Sequence, residues 1–120
     1  MKKTILAAIL LSGCVAQPQR PDIKALEEAR ERALTASIEC GMRNVSGMDD
    51  GVSDASTVAL ALALQCNSEY LAVTEAHGDL VLQNDAQKRM WRQTRATRQV
   101  RVEAFLPIVL DHRSAALRNR

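Results

Sequence analysis

Apolar residues recur along this chain mainly at three- and four-residue steps, the spacing that gathers side chains on one face of a helix. Asp22 follows Pro21 and precedes Ile23-Lys24-Ala25-Leu26, the pattern of an N-cap. The first predicted helix runs from there to about Arg43, with Leu26, Ala29, Ala33, Ala36 and Cys40 on one side. That side is mostly alanine and admits a closely packed partner. Asn44 to Ser53 reads as a loop, with Gly47 and Gly51 among several turn formers. Ser53 or Asp54 then caps a second helix that extends to about His77. Val58 to Leu64 alternates large and small side chains, as a strand does. Alanine and leucine are nevertheless strong helix formers, and Ala59, Leu62, Cys66, Tyr70 and Val73 carry a helical seam beyond the run.

His77-Gly78-Asp79 reads as the end of this helix, with Leu80-Val81-Leu82 as an apolar patch beyond it. Asn84 and Gln87 have the spacing of a capping box. The third helix is expected over residues 86–106, with Ala86, Met90, Thr97, Val100 and Ala104 facing inward. Pro107 should kink or break it, and Phe105, Leu106, Ile108, Val109 and Leu110 should return to the core. Residues 22–120 thus form one small all-α domain: a helical hairpin followed by a long basic C-terminal helix, kinked or broken near Pro107.

Composition limits how such a domain is held together. Tyr70, Trp91 and Phe105 are the only aromatic residues, so the core rests on Leu, Ala, Val and Ile. Domains this small often carry a covalent staple. Cys40 and Cys66 fall on the facing sides of the first two helices and suggest a disulfide across the hairpin. With the helix ends above, the two cysteines differ in height by about 13 Å at 1.5 Å per residue. The loop can climb that distance, or one helix boundary is misplaced. A bridge between two chains is the alternative.

The start of the chain carries a different signal. Lys2 and Lys3 precede the apolar block Ile5 to Leu11, and Ser12-Gly13-Cys14 follows. The block is too short for a permanent span, which needs about 20 apolar residues, and has the form of an export signal. Leu11-Ser12-Gly13-Cys14 resembles the lipobox of bacterial lipoproteins. That resemblance implies removal of residues 1–13, with Leu11, Ser12 and Gly13 as recognition positions for the peptidase. It also implies lipid attachment, typically including palmitate, at Cys14. Residues 14–21 become a short lipidated tether. In the same class an aspartate after the lipidated cysteine marks inner-membrane retention. Val15 stands there, which points to the outer membrane, facing the periplasm. Plain secretion with cleavage before Gln17 is the alternative, because Cys14-Val15-Ala16 also fits a small-x-small site. The stretch Asp49 to Ala55 is similar to the loop-to-helix segment of small exported helical proteins of proteobacteria.

Charge divides the chain. Residues 22–85 carry twelve acidic and four basic side chains, a net of −8, whereas residues 86–120 carry nine basic and two acidic, a net of +7. Either the basic part packs beside the acidic part or it faces phosphate or carboxylate groups elsewhere. Trp91, Arg95, Arg98 and Val102 fall opposite the inward seam of the third helix, which makes Trp91, Arg95 and Arg98 a candidate contact face for a partner or headgroup. The competing reading lays Trp91 over its own arginines as a cation–π contact, or under the last segment.

Candidate chemistry is sparse. Asp49, Asp50 and Asp54 lack the alternating spacing and distal Glu of an EF-hand loop, and read as helix-start acids. His77 and His112 have acids nearby but neither a nucleophile nor a metal-ligand spacing. The expectation is a non-catalytic protein without cofactor or metal. It is held at the membrane by the lipid on Cys14, binds an envelope protein partner, and does not bind nucleic acid. An immunity or exclusion lipoprotein that blocks a toxin or phage factor is the second functional expectation.

Overall fold

A computed structural model describes Gly13 and residues 22–120. The described residues form five helices, α1 (Ile23–Met48), α2 (Ala55–Gln65), α3 (Asn67–Val81), α4 (Asp85–Arg95) and α5 (Arg98–Arg118). The all-α expectation holds. The expected signal peptide, Cys14 and the expected tether lie outside the described residues, apart from Gly13.

Asp22 caps α1 as expected, its carboxylate accepting from the Lys24 amide at 3.1 Å. The helix does not stop at Arg43. It runs five residues further, through Asn44, Ser46 and Gly47, which are poor helix formers. Tertiary packing overrides that propensity, because the extra turn buries Val45 in the core. Asn44 also turns its side chain back, donating to the Cys40 carbonyl at 2.8 Å.

The second expected helix is divided at Cys66. Its amide still donates to the Leu62 carbonyl, and its carbonyl accepts from the Tyr70 amide, so the residue at the bend keeps both of its backbone hydrogen bonds. The bend gives the two halves different partners: α2 packs chiefly against α5, and α3 chiefly against α1. Cys66 at the pivot is bonded to Cys40 on α1, with their Cα atoms 5.9 Å apart. The expected staple is therefore present within one chain. Extending α1 to Met48 reduces the height difference between the cysteines from about 13 Å to about 5 Å, which removes the geometric difficulty.

Gly78 does not end α3, which continues to Val81. Gly78 faces Trp91 of α4, and a Cβ there would make only ordinary contact with it, at 3.5 Å from Cδ1. The capping box forms in modified shape. Asn84 Oδ1 accepts from the Gln87 amide at 2.9 Å, while the Gln87 side chain reaches back to the Gln83 amide at 3.0 Å.

The helix expected to be kinked or broken near Pro107 is interrupted at Ala96–Thr97, and α5 continues through Pro107. Tyr70 Oη donates to the Arg95 carbonyl at 2.6 Å, occupying an acceptor that a continuing helix would offer to Gln99. Thr97 takes extended backbone geometry and starts α5. Pro107 and Glu103 are both exposed, so the carbonyl that the proline leaves without a donor is open to water.

This break resets the phase of the basic segment. Ala86, Met90, Thr97 and Ala104 are exposed and Val100 is half-buried, contrary to the expected inward seam. Phe105 and Val109 are the buried residues of α5, flanked by Val102, Leu106 and Ile108. They meet Val58, Ala59, Leu62 and Ala63 of α2, with Cys66, Tyr70, Cys40 and Val45 completing the core. On α1 the seam holds at Cys40 but shifts from Ala36, which is exposed, to Ser37, which is buried.

Candidate functional site

The four-residue repeat Arg30, Leu34, Ile38 and Met42 lies along α1 beside its buried seam. Leu34, Ile38 and Met42 are 42%, 43% and 64% exposed, although each is a large apolar residue. Ala104 and Ile108 of α5 form the opposite wall of a groove, and Tyr70 and Phe105 lie at its narrowest part. Gly41 sets how closely the walls approach. A Cβ there would lie 2.5 Å from Ile108 Cδ1 and 3.3 Å from Phe105 Cδ1.

Three spaces adjoin along the groove, each sharing lining residues with the next. A cavity of about 350 Å³ is lined by Arg30, Leu34, Val73, His77, Trp91 and Arg95. It leads through a neck of about 60 Å³ between Leu34, Ile38, Tyr70 and Ile108. Beyond lies a second cavity of about 340 Å³, bounded by Ile38, Met42, Ile108, Asp111 and His112.

The first cavity holds the unusual chemistry. Trp91 is half-buried against α3, its Nε1–H donating to the Thr74 carbonyl at 2.9 Å, and its ring lies 4.8 Å from that of His77. The Arg95 guanidinium lies 4.5 Å from the Tyr70 ring centroid and 5.4 Å from that of Trp91. It forms no ion pair among the described residues. Its Nε donates to Thr74 Oγ1 over a long 3.4 Å. Arg101 stacks on Tyr70 as well, at 5.0 Å, but its Nη1 is taken up by Asn67 at 2.8 Å.

These contacts correct the expected contact face. Trp91 and Arg95 turn inward toward α3, and Arg98 stands exposed at the start of α5. The three do not share one outward surface. Trp91 takes up the competing arrangement, beside one of its own arginines. Much of the charge division is likewise internal: Arg92 binds Glu75 through two hydrogen bonds of 2.6 and 2.8 Å, and Lys88 meets Asp79 at 2.8 Å. At the far end, Arg113 clamps Asp49, whose side chain is only 2% exposed, at 2.8 Å. Asp50 accepts from the Val52 and Ser53 amides and the Ser53 hydroxyl, and Asp54 accepts from the Ser56 amide. The loop acids thus act as turn and cap residues, and among the described residues no group of His, Cys, Asp and Glu is placed to hold a metal ion.

Burial, and then the nearby charges of Arg30 and Arg95, hold the His77 pKa below the ordinary histidine value of about 6.5. Its ring is therefore neutral in the folded chain at pH 7. Below about pH 6.5 the unfolded chain takes up a proton that folded His77 still resists, so stability falls with pH across that window. His77→Gln should flatten this part of the profile, as read by denaturant midpoints measured between about pH 7.5 and 5. An unchanged slope in the variant would assign the pH response to other groups.

The residues that sequence reasoning missed are Arg30 and the Leu34, Ile38, Met42 stripe. The four-residue repeat is visible in the sequence, but the alanine seam beside it satisfies the need for a buried face. No protein-family model matches the chain, and no curated protein or solved structure matches it.

Proposed function

We propose that this chain is a non-catalytic binding lipoprotein of the bacterial envelope, anchored through a lipidated Cys14 and facing the periplasm, with the outer membrane as its site. The observation that carries this reading is the leader: two lysines, the apolar block Ile5 to Leu11, and the lipobox-like Leu11-Ser12-Gly13-Cys14. The Cys40–Cys66 disulfide supports export, because such staples persist in oxidising compartments. No helix of the described residues is long and apolar enough to cross a membrane. In this reading attachment falls to the acyl chains, and two or more are needed for a stable anchor.

Binding is favoured over catalysis because the polar groups that converge inside the fold serve the fold itself. The Tyr70 hydroxyl fixes the α4–α5 corner, Trp91 docks α4, and Arg101 ties α5 to the start of α3. The groove beside α1 offers apolar contact area with cationic groups at one end, which suits recognition of a partner.

Cys14→Ser should abolish acyl labelling and move the protein from the membrane to the soluble fraction. Retention of the variant on membranes, together with a native protein free of acyl groups, would contradict the anchor. A photoreactive residue at Met42, exposed at the mouth of the groove, then identifies the partner in intact cells. An envelope protein captured there supports an assembly role, whereas a toxin or phage component supports an immunity or exclusion role.

A further inference from the structure

We propose that the groove between α1 and α5 binds a single-chain anionic amphiphile, its head group held by Arg95 and Arg30 and its hydrocarbon chain laid along Leu34, Ile38 and Met42. The inference rests on the groove alone and is independent of the anchor at Cys14.

Arg95 supplies the first argument. Its guanidinium is positioned by the Tyr70 and Trp91 rings, at 4.5 and 5.4 Å, rather than by a carboxylate. Only Nε has a hydrogen-bond partner among the described residues, the Thr74 hydroxyl at 3.4 Å. Guanidinium carries five N–H donors in a planar fork that matches carboxylate and phosphate oxygens. A half-buried fork, held in place from behind with its terminal donors uncommitted, is preorganised for an anion. Arg30 lines the same cavity, and among the described residues its ion pair is with its exposed neighbour Glu31, at 3.3 Å. Exposed pairs of that kind are weak and do not hold the arginine from a better partner.

The rest of the groove specifies what the anion is attached to. From Arg30 to Met42 it follows α1 for about 18 Å at 1.5 Å per residue. Its middle is walled by Leu34, Ile38, Ala104 and Ile108, and the far cavity ends at Asp111 and His112. Asp111 disfavours an anion at that end, which sets the direction of the ligand. The neck of about 60 Å³ decides between a hydrocarbon chain and an acidic protein helix. That volume takes a few methylene groups of an extended alkyl chain, but not a turn of a helix about 10–12 Å across with its side chains.

The chain's single tryptophan, Trp91, lies in the head-group cavity and reports on its occupation. The test titrates the full chain carrying Cys14→Ser, which removes any acyl group of its own, with dodecanoate below its micelle concentration. Dodecyl phosphate and dodecanol are titrated in parallel. We expect a saturable change in Trp91 fluorescence with at least one of the two anions, and at least about tenfold weaker binding of dodecanol. Whichever anion binds tighter identifies the head group as carboxylate or phosphate. Arg95→Gln should weaken the anion by about tenfold or more. Because Arg95 also packs on Tyr70, Ile38→Glu is the companion variant: it changes an exposed position and places a carboxylate in the path of the alkyl chain. It should weaken binding while leaving the circular dichroism unchanged. Three results would overturn the proposal. They are no saturable response to either anion, equal affinity for dodecanol, or an acidic amphipathic peptide that saturates the signal where both anions fail.

Discussion

Phe105→Ala should be among the most destabilising single substitutions in this chain, at about 3–5 kcal/mol. Phe105 is 1% exposed, its ring centroid lies 6.2 Å from that of Tyr70, and it stands over the bare backbone of Gly41. Truncation removes the side chain on which α1, α3 and α5 converge. Its aromatic neighbour Tyr70 is held by the hydrogen bond to the Arg95 carbonyl and does not move into the space. A domain of this size has a total stability of only about 5–15 kcal/mol, so the loss is a large share of it. Leu110→Ala on the same helix is the control. Leu110 is 48% exposed, and its truncation should cost about 1 kcal/mol or less. Chemical denaturation of both variants reads the difference. Equal midpoints would mean that α5 is not docked through Phe105.

Replacing Cys40 and Cys66 together by serine should cost about 3.5 kcal/mol by the chain-entropy relation, for a bridge that spans 26 residues of sequence. Two further effects act in the same direction. The bridge fixes the bend at Cys66, where the chain passes from α2, packed on α5, to α3, packed on α1, and both cysteines lie in the core. Serine hydroxyls would be buried there away from water, at the cost of burying polar groups in an apolar core. Reduction of the native protein should reproduce the chain-entropy part of the shift, and reduction should leave the double variant unchanged. Non-reducing peptide mapping should recover Cys40 joined to Cys66 in a monomer. A dimer that collapses on reduction would contradict the intrachain bridge.

How far the fold was legible from sequence differs from element to element, for physical reasons. Ala59, Leu62, Cys66 and Tyr70 announced the inner seam because it is continuous through the bend and its members are all apolar. Asp22 and Asn84 announced helix starts because capping is a local hydrogen bond between residues two or three apart. The end of α1 was not legible. Asn44, Ser46 and Gly47 favour a turn locally, and only the burial of Val45 against distant residues makes the helix worth continuing. The corner at Ala96–Thr97 has neither glycine nor proline. It depends on a hydrogen bond from Tyr70, 25 residues away, whereas Pro107 gave a break signal that α5 absorbs on its exposed face. Misplacing that corner carried the wrong helical phase through the basic segment and sent Trp91 outward. The groove was hidden for the same reason. Arg30, Leu34, Ile38 and Met42 are a visible repeat, but which side of α1 stays uncovered depends on where α4 and α5 turn.

The reading of the chain as a lipid-anchored envelope protein is tested most directly by the intact mass of the native protein extracted from cell membranes. The account predicts a chain that begins at Cys14 and carries the added mass of a diacylglyceryl group, usually with a further acyl group on the new amino terminus. It also predicts a mass two hydrogens below that of the reduced chain, for the Cys40–Cys66 bond. A protein that begins at Gln17, or one that retains its leader and carries no lipid, would contradict it.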